Sequence, residues 1–192
     1  MTNPYDIPPA EPTGSATADE VFLSVGMALT QWEMLEQELA DLFGSLCDTS
    51  SMAPSLAYGA VVASSSRGDM LKAAAASFYY LREVELAEVI KAVDFVGKLA
   101  GRRNDIAHGV VMDETTVSTG GFYLVPASYQ TRKGTRHTML KPGVEPRLVP
   151  KYKYTAAQIL GFASAFAEAY RQIRTISFKV DEERIKRAQS SL

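Results

Sequence analysis

Apolar residues recur at steps of three and four through the first quarter of the chain: Val21, Val25, Ala28, Leu29, Trp32, Leu35, Leu39 and Leu42. That period lines them along one stripe of a helix over roughly 18–46, with Glu33, Glu38 and Asp41 on its other side. Thr17 and Glu20 open it with the spacing of a capping box. Residues 1–16 are Pro-rich, polar and aperiodic, and predict a flexible arm. After the break CDTSSMAPS, residues 55–65 predict a short apolar helix, and Ser66 with Asp69 predicts the cap of a third helix running to about Leu81. One helix across 69–100 would be ~48 Å long, so a break is expected near 82–84, at the charged LREVE. A fourth helix then turns Leu86, Val89, Ile90, Val93, Val96, Leu99 and Ala100 inward.

The period then changes. VVMDETTV, GGFYLVPA and RLVPKYKYT read as strands or extended arms, separated by Gly and Pro. Thr155 and Gln158 offer a second capping box. Behind them Ile159, Phe162, Ala163, Phe166, Tyr170 and Ile173 mark a fifth helix, and the charged residues 181–187 suggest a final surface helix. The fold class expected is mainly α: a helical bundle of about five helices with a small β-hairpin or sheet inserted before the last long helix. One helical domain over 17–192 follows, with the β insertion at about 110–154.

Composition adds limits. In 192 residues, 46% of them apolar, a substantial core can be buried. The one cysteine, Cys47, excludes an intramolecular disulfide and a Cys-based zinc site and fits a reducing compartment. The opening MTNPYDIPPAEPTGS has neither the basic region nor the apolar run of a signal peptide. No stretch is apolar for long enough to span a bilayer. A cytoplasmic protein with no membrane partner is expected.

Net charge is −2, but its distribution is lopsided. Residues 1–66 hold nine acidic residues and no Lys or Arg, so residues 67–192 carry all 20 basic residues against 13 acidic (22 − 9). The excess concentrates at 131–153, where Arg132, Lys133, Arg136, Lys141, Arg147, Lys151 and Lys153 face only Glu145. A polyanion is the natural partner of such a segment, with Arg132, Lys133 and Arg136 as candidate RNA contacts. A solvated basic hairpin would have the same composition.

The fourth helix ends in GRRNDIAHG, residues 101–109. At about 100° per residue Arg103 and His108 stand some 140° apart, while Asn104 and His108 share a face. An arginine stem is long enough to bring its guanidinium round to the histidine. Gly109 occupies the position of a helix-terminating C′ glycine. Arg102, Arg103 and His108 also suit a helix C-terminus as simple partners of its dipole. The spacing occurs a second time, from Arg132 to His137, but in the basic insertion and not at the end of an apolar helix. Chemically the pair suits RNA cleavage. The 2′-OH can attack its own phosphate if a base removes its proton and an acid protonates the leaving oxygen, and histidine is the side chain closest to neutrality for both tasks. Arginine grips the non-bridging phosphate oxygens and stabilises the charge that builds there. One copy of the motif gives one histidine, whereas a two-fold dimer gives an acid and a base, so a homodimer is expected. His137 is a second histidine within the insertion.

Arg103-Asn104-Asp105-Ile106-Ala107-His108 resembles the R-x4-6-H motif of the HEPN superfamily, including a polar residue directly after the arginine. The helix containing Trp32, Leu35 and Glu36 is similar to the first helix of many bacterial members. The resemblance covers about 17–109 and 155–177. It implies a metal-independent endoribonuclease, often a toxin or an anti-phage defence component, restrained by an antitoxin or regulatory protein and working without a cofactor. Arg103 and His108 would be the catalytic pair, with Asn104, Arg102 and Asp105 in support. Members paired with nucleotidyltransferase antitoxins often carry a tyrosine two positions after the histidine. Val110 stands there in this chain, which speaks against that branch.

Two other classes remain open: a non-catalytic HEPN-like helical module binding RNA or a partner protein, and a nucleotide- or small-ligand-binding bundle. The chain has no P-loop, no GxGxxG after a strand and no HExxH. Two histidines 29 positions apart make a poor metal site. Ser64, Ser65 and Ser66 lack a nucleophile elbow. Trp32, Tyr79 and Tyr80 read as core or interface residues, and Cys47 as a small buried hydrophobe.

Overall fold

The computed structural model describes residues 3–78, 81–116, 120–127, 135–138 and 147–190. Five helices and four strands occur among them, in the order α1 (Ala18–Leu46), α2 (Ala53–Ala60), α3 (Ser64–Ser77), α4 (Glu83–Ala107), β1 (Gly109–Asp113), β2 (Phe122–Pro126), β3 (Thr135–Thr138), β4 (Arg147–Pro150) and α5 (Ala156–Ser190). The chain is mainly helical, with the small β structure placed before the last long helix as the pattern predicts. No helix among the described residues is long and apolar enough to cross a membrane. Tyr79, Tyr80, Arg132 and Lys133 lie outside the described residues.

Local chemistry sets several boundaries. At the start of α1, Thr17 Oγ1 accepts from the Glu20 amide at 3.2 Å, and the Glu20 carboxylate accepts from the Ala16 amide at 3.1 Å. At the start of α5 the exchange is fully reciprocal: Gln158 N–H to Thr155 Oγ1 at 3.3 Å and Thr155 N–H to Gln158 Oε1 at 3.1 Å. Between α3 and α4, Glu85 accepts from the Arg82 amide at 3.1 Å and pairs with its guanidinium.

Other boundaries differ from the expectation. The Ser66/Asp69 cap does not form: α3 begins at Ser64, after Ala63, with no side-chain cap. Arg67 fixes that turn instead. It donates to the carbonyls of Val61 (2.6 Å) and Gly59 (3.3 Å) and to Glu36 (2.8 Å). The separate surface helix at 181–187 is also absent as such, because α5 continues for 35 residues, ~52 Å of rise. Pairs three residues apart, Glu168–Arg171, Asp181–Arg184 and Glu183–Lys186, lie along it.

The chain divides into two compact units. One comprises Gln31–Ala100 and Ala165–Leu192. It is a helical bundle whose core includes Trp32, Leu35, Leu39, Leu71, Val93, Leu99, Phe166 and Ile173. Trp32 meets Phe166 edge-on, ring centres 5.2 Å apart. Lys72–Asp94 and Lys179–Glu88 tie its helices at the surface, and Arg184 of α5 pairs with Asp48 in the turn after α1.

The other unit comprises Met1–Thr30 and Gly101–Ser164 and contains the motif. Its centre is β2, whose run Phe-Tyr-Leu-Val-Pro is almost wholly buried. On one edge β2 pairs antiparallel with β1, from Gly109↔Pro126 to Asp113↔Phe122. Single bridges join Phe122 to Ser15 and Leu124 to Tyr154. Flanked in this way, β2 reads as a continuous apolar stretch and not as an alternating one. Residues 3–16 form no helix, yet they are held. Tyr123 Oη donates to the Glu11 carbonyl (3.2 Å), Gln158 donates to the Pro9 carbonyl (2.9 Å), and the Ala156 amide donates to Ser15 Oγ (2.8 Å). Gly121 (φ +136°) lets the arm in; a Cβ there would lie 2.7 Å from Gly14 Cα. The second pair of strands, β3 and β4, is antiparallel with register Thr135↔Pro150 to Thr138↔Arg147. β3 is a strand that hydrophobic alternation alone does not reveal.

Candidate functional site

The last two turns of α4 carry Arg102 to Ala107 and His108 follows directly, its amide bonded to the Asn104 carbonyl, so helix geometry sorts the motif into two arcs. At about 100° per residue, Asp105, Arg102 and Ile106 occupy one arc, and Arg103, Ala107, Asn104 and His108 occupy the other. The first arc is packed. Ile106 is 1% exposed, and the side chains of Arg102 and Asp105 are each 11% exposed. Their ion pair, Arg102 Nη2 to Asp105 Oδ2 at 3.0 Å, is closed by a phenol. Arg102 Nη1 donates to Tyr154 Oη at 2.9 Å, and Tyr154 Oη donates onward to Asp105 Oδ2 at 3.0 Å. Tyr152 Oη donates to the Asp105 carbonyl at 2.8 Å, an acceptor near the helix end.

Tyr152 and Tyr154 stack with ring centres 4.5 Å apart and planes 16° from parallel. The Tyr154 ring also meets Phe162 edge-on. Between the two tyrosines, Lys153 pairs with Glu114 and lies 5.1 Å from the centre of the Tyr123 ring. The Tyr152–Tyr154 strap is thus pinned on alternate sides, as the period of an extended chain dictates. Sequence patterning assigns these residues only to a strand. The available signal is the i, i+2 pair of tyrosines, whose rings bury readily but whose hydroxyls then need polar partners.

Burial, followed by the charge of Asp105, raises both phenol pKa values well above the ordinary value of a tyrosine; the Arg102 charge opposes this in both. Burial raises that of Tyr58 as well, with Glu36 adding to the effect. A folded value above the unfolded one, about 10, gives a contribution to stability that is fully present below pH 10. It is lost as pH rises through the folded values. In an alkaline titration followed by phenolate absorbance, three of the nine tyrosines should remain un-ionised until the chain unfolds. Ionisation of all nine in the still-folded protein would contradict this.

The second arc is more open. Arg103 is half-buried and donates to its neighbour Asn104 Oδ1 at 3.4 Å, at the long end for such a bond. His108 is exposed; its amide donates to the Asn104 carbonyl at 3.2 Å, which completes the last helical turn. Arg103 and Asn104 are half-buried and His108 is exposed, with Arg103 and His108 about 140° apart around the helix axis. Arg102 and Asp105 are turned away from them into the tyrosine network. Arg136 belongs to β3, as does His137.

Gly109 does not serve as a left-handed C′ residue, since its φ lies outside that region. It starts β1 at once. Its lack of a side chain is a matter of room: a Cβ would fall 2.6 Å from Leu124 Cγ and 3.1 Å from the Asp105 carbonyl oxygen. The helix end is thus pressed against β2 on one side and the tyrosine strap on another. Cys47, expected to be buried, is exposed.

The helical bundle has an open cleft of about 560 Å³, lined by Glu33, Glu36, Asp41 and Asp181 together with Arg67 and Arg184. Both arginines are paired with carboxylates, Arg67 with Glu36 and Arg184 with Asp48 and Asp181. Its acidic wall would repel a phosphate backbone. Comparison of the chain with family models, with curated proteins and with solved structures gives no match.

Proposed function

We propose that the end of α4 is the cleaving centre of a HEPN-type, metal-independent endoribonuclease, with His108 moving the proton and Arg103 holding the scissile phosphate. One observation carries this reading. The buried arc of Arg102, Asp105 and Ile106 fixes the helix end, while Arg103, Asn104 and exposed His108 lie on the wider, more open arc. A rigid support beneath a small set of polar groups is what positional catalysis requires.

In the reaction the 2′-oxygen loses its proton to one imidazole and bonds to phosphorus. The bond from phosphorus to the 5′-oxygen breaks, and a second imidazole protonates the departing oxygen. Arg103 stabilises the charge gathering on the non-bridging oxygens. One chain brings one motif histidine, so a two-fold homodimer would supply both proton carriers. An enzyme of this kind, acting in the cytoplasm as a toxin or defence component, would need an antitoxin or another protein to restrain it. The non-catalytic module draws on the wide angle between Arg103 and His108, and product chemistry separates the two. RNA incubated with the protein in EDTA is expected to yield 2′,3′-cyclic phosphate and 5′-hydroxyl ends. Fragments ending in 5′-phosphate would contradict the mechanism.

A further inference from the structure

The open cleft of about 560 Å³ lies within one compact unit, since Gln31–Ala100 and Ala165–Leu192 supply every residue that lines it. One wall is α1, whose Glu33, Glu36, Ala40 and Gly44 recur at steps of three and four, with Asp41 beside them. A second wall is α2, brought close to α1 by small residues. Ser55 donates to the Ala40 carbonyl at 3.1 Å, and a Cβ on Gly44 would fall 2.9 Å from that Ser55 oxygen. α2 also brings two large apolar side chains to the cleft, Met52 and Leu56, which are 73% and 68% exposed. The Leu56 amide donates to the Met52 carbonyl at 3.0 Å, so the two stand one helical turn apart on the same side.

Charge narrows what could cover them. Four carboxylates, Glu33, Glu36, Asp41 and Asp181, line the cleft against two cations, Arg67 and Arg184. Both cations are engaged already, Arg67 with Glu36 and two carbonyls, Arg184 with Asp48 and Asp181. Glu33 and Asp41 are exposed, and Asp41 accepts from the neutral Gln37 amide at 3.1 Å. The cleft therefore keeps a surplus of negative charge beside an exposed apolar pair. A small polyamine would answer the charge and leave the apolar pair in water. A basic amphipathic helix answers both, with its apolar face laid in the groove. Methionine suits such a surface, because its unbranched side chain adapts to what it meets.

We propose that this cleft is the docking groove for a basic amphipathic helix of a partner protein, whose apolar residues cover Met52 and Leu56 while its Lys or Arg side chains meet Glu33 and Asp41. The occupant does not depend on whether the end of α4 cleaves RNA.

The probe is a fluorescent peptide of leucine and lysine, about 18 residues or five helical turns long, with its leucines along one face. Anisotropy with the full chain should show saturable binding that weakens as salt rises. Leu56→Ala should weaken it about tenfold, what re-exposing one leucine side chain is worth. Glu33→Gln with Asp41→Asn should weaken it several-fold and flatten its salt dependence. The same peptide with glutamate in place of lysine should not bind. Phe22→Ala, which truncates an exposed apolar residue that does not line the cleft, should bind like the native chain. Unchanged denaturation midpoints show that the variants fold. No binding of the leucine–lysine peptide, equal loss with Phe22→Ala, or full binding by either cleft variant would overturn the proposal. Spermidine that displaces the peptide while Leu56→Ala binds normally would assign the cleft to a small cation. A dimer of the chain that is lost in Leu56→Ala would assign it to a second copy, and either result overturns the partner helix.

Discussion

Asp105→Ala is expected to cost the fold about 3–5 kcal/mol, the usual penalty for removing one partner of a buried ion pair. The Arg102 guanidinium would be left mostly buried without the Asp105 carboxylate, bonded to the neutral Tyr154 hydroxyl. That hydroxyl would in turn lose the acceptor it now reaches at 3.0 Å. Against a typical stability of about 5–15 kcal/mol, the loss is a large share of the whole. It should appear as a lower denaturation midpoint with little change in slope. Tyr154→Phe removes one hydroxyl from the same network and should cost about 1–3 kcal/mol. Replacing all three polar groups at once, Arg102→Met with Asp105→Leu and Tyr154→Phe, should recover most of the stability, because no buried polar atom is then abandoned. A triple variant as unstable as Asp105→Ala would show that the site depends on polarity and not only on satisfied partners.

Which features were legible in the sequence follows from the range of the forces that fix them. The starts of α1 and α5 are set by side chains three residues from the groups they bond, Thr17 with Glu20 and Thr155 with Gln158. Such local exchanges can be read directly from residue order. The start of α3 cannot, because Arg67 fixes it through the carbonyls of the preceding turn and through Glu36, 31 positions earlier. Tyr152 and Tyr154 escape for the same reason, since they meet Asp105 and Arg102 across separations of 47 to 52 residues. The charged tail of α5 resembles a separate surface helix, yet no Gly or Pro follows Gly161 to interrupt the helix that Thr155 and Gln158 start. Within the motif, the angular separation of Arg103 and His108 follows from helix period alone. That Arg102 and Asp105 turn inward depends on partners from distant parts of the chain.

The second large effect belongs to His108. His108→Ala removes the only motif imidazole each chain contributes, and with it both the base and the acid of a two-fold site. Positioned proton transfer accounts for about 10²–10⁴-fold in rate, so cleavage should fall by at least the lower of these factors. The fold should be almost untouched, because His108 is exposed and the bonds that hold the helix end run through Asp105 and the tyrosines. This separates His108 from Asp105, where activity and stability should fall together. The most direct test is therefore cleavage of mixed RNA in EDTA by the native chain and by His108→Ala, with the denaturation midpoints of both measured alongside. Cleavage by the native chain alone, at equal midpoints, is the predicted result; equal cleavage by both, or a loss matched by a fall in midpoint, would contradict a catalytic His108.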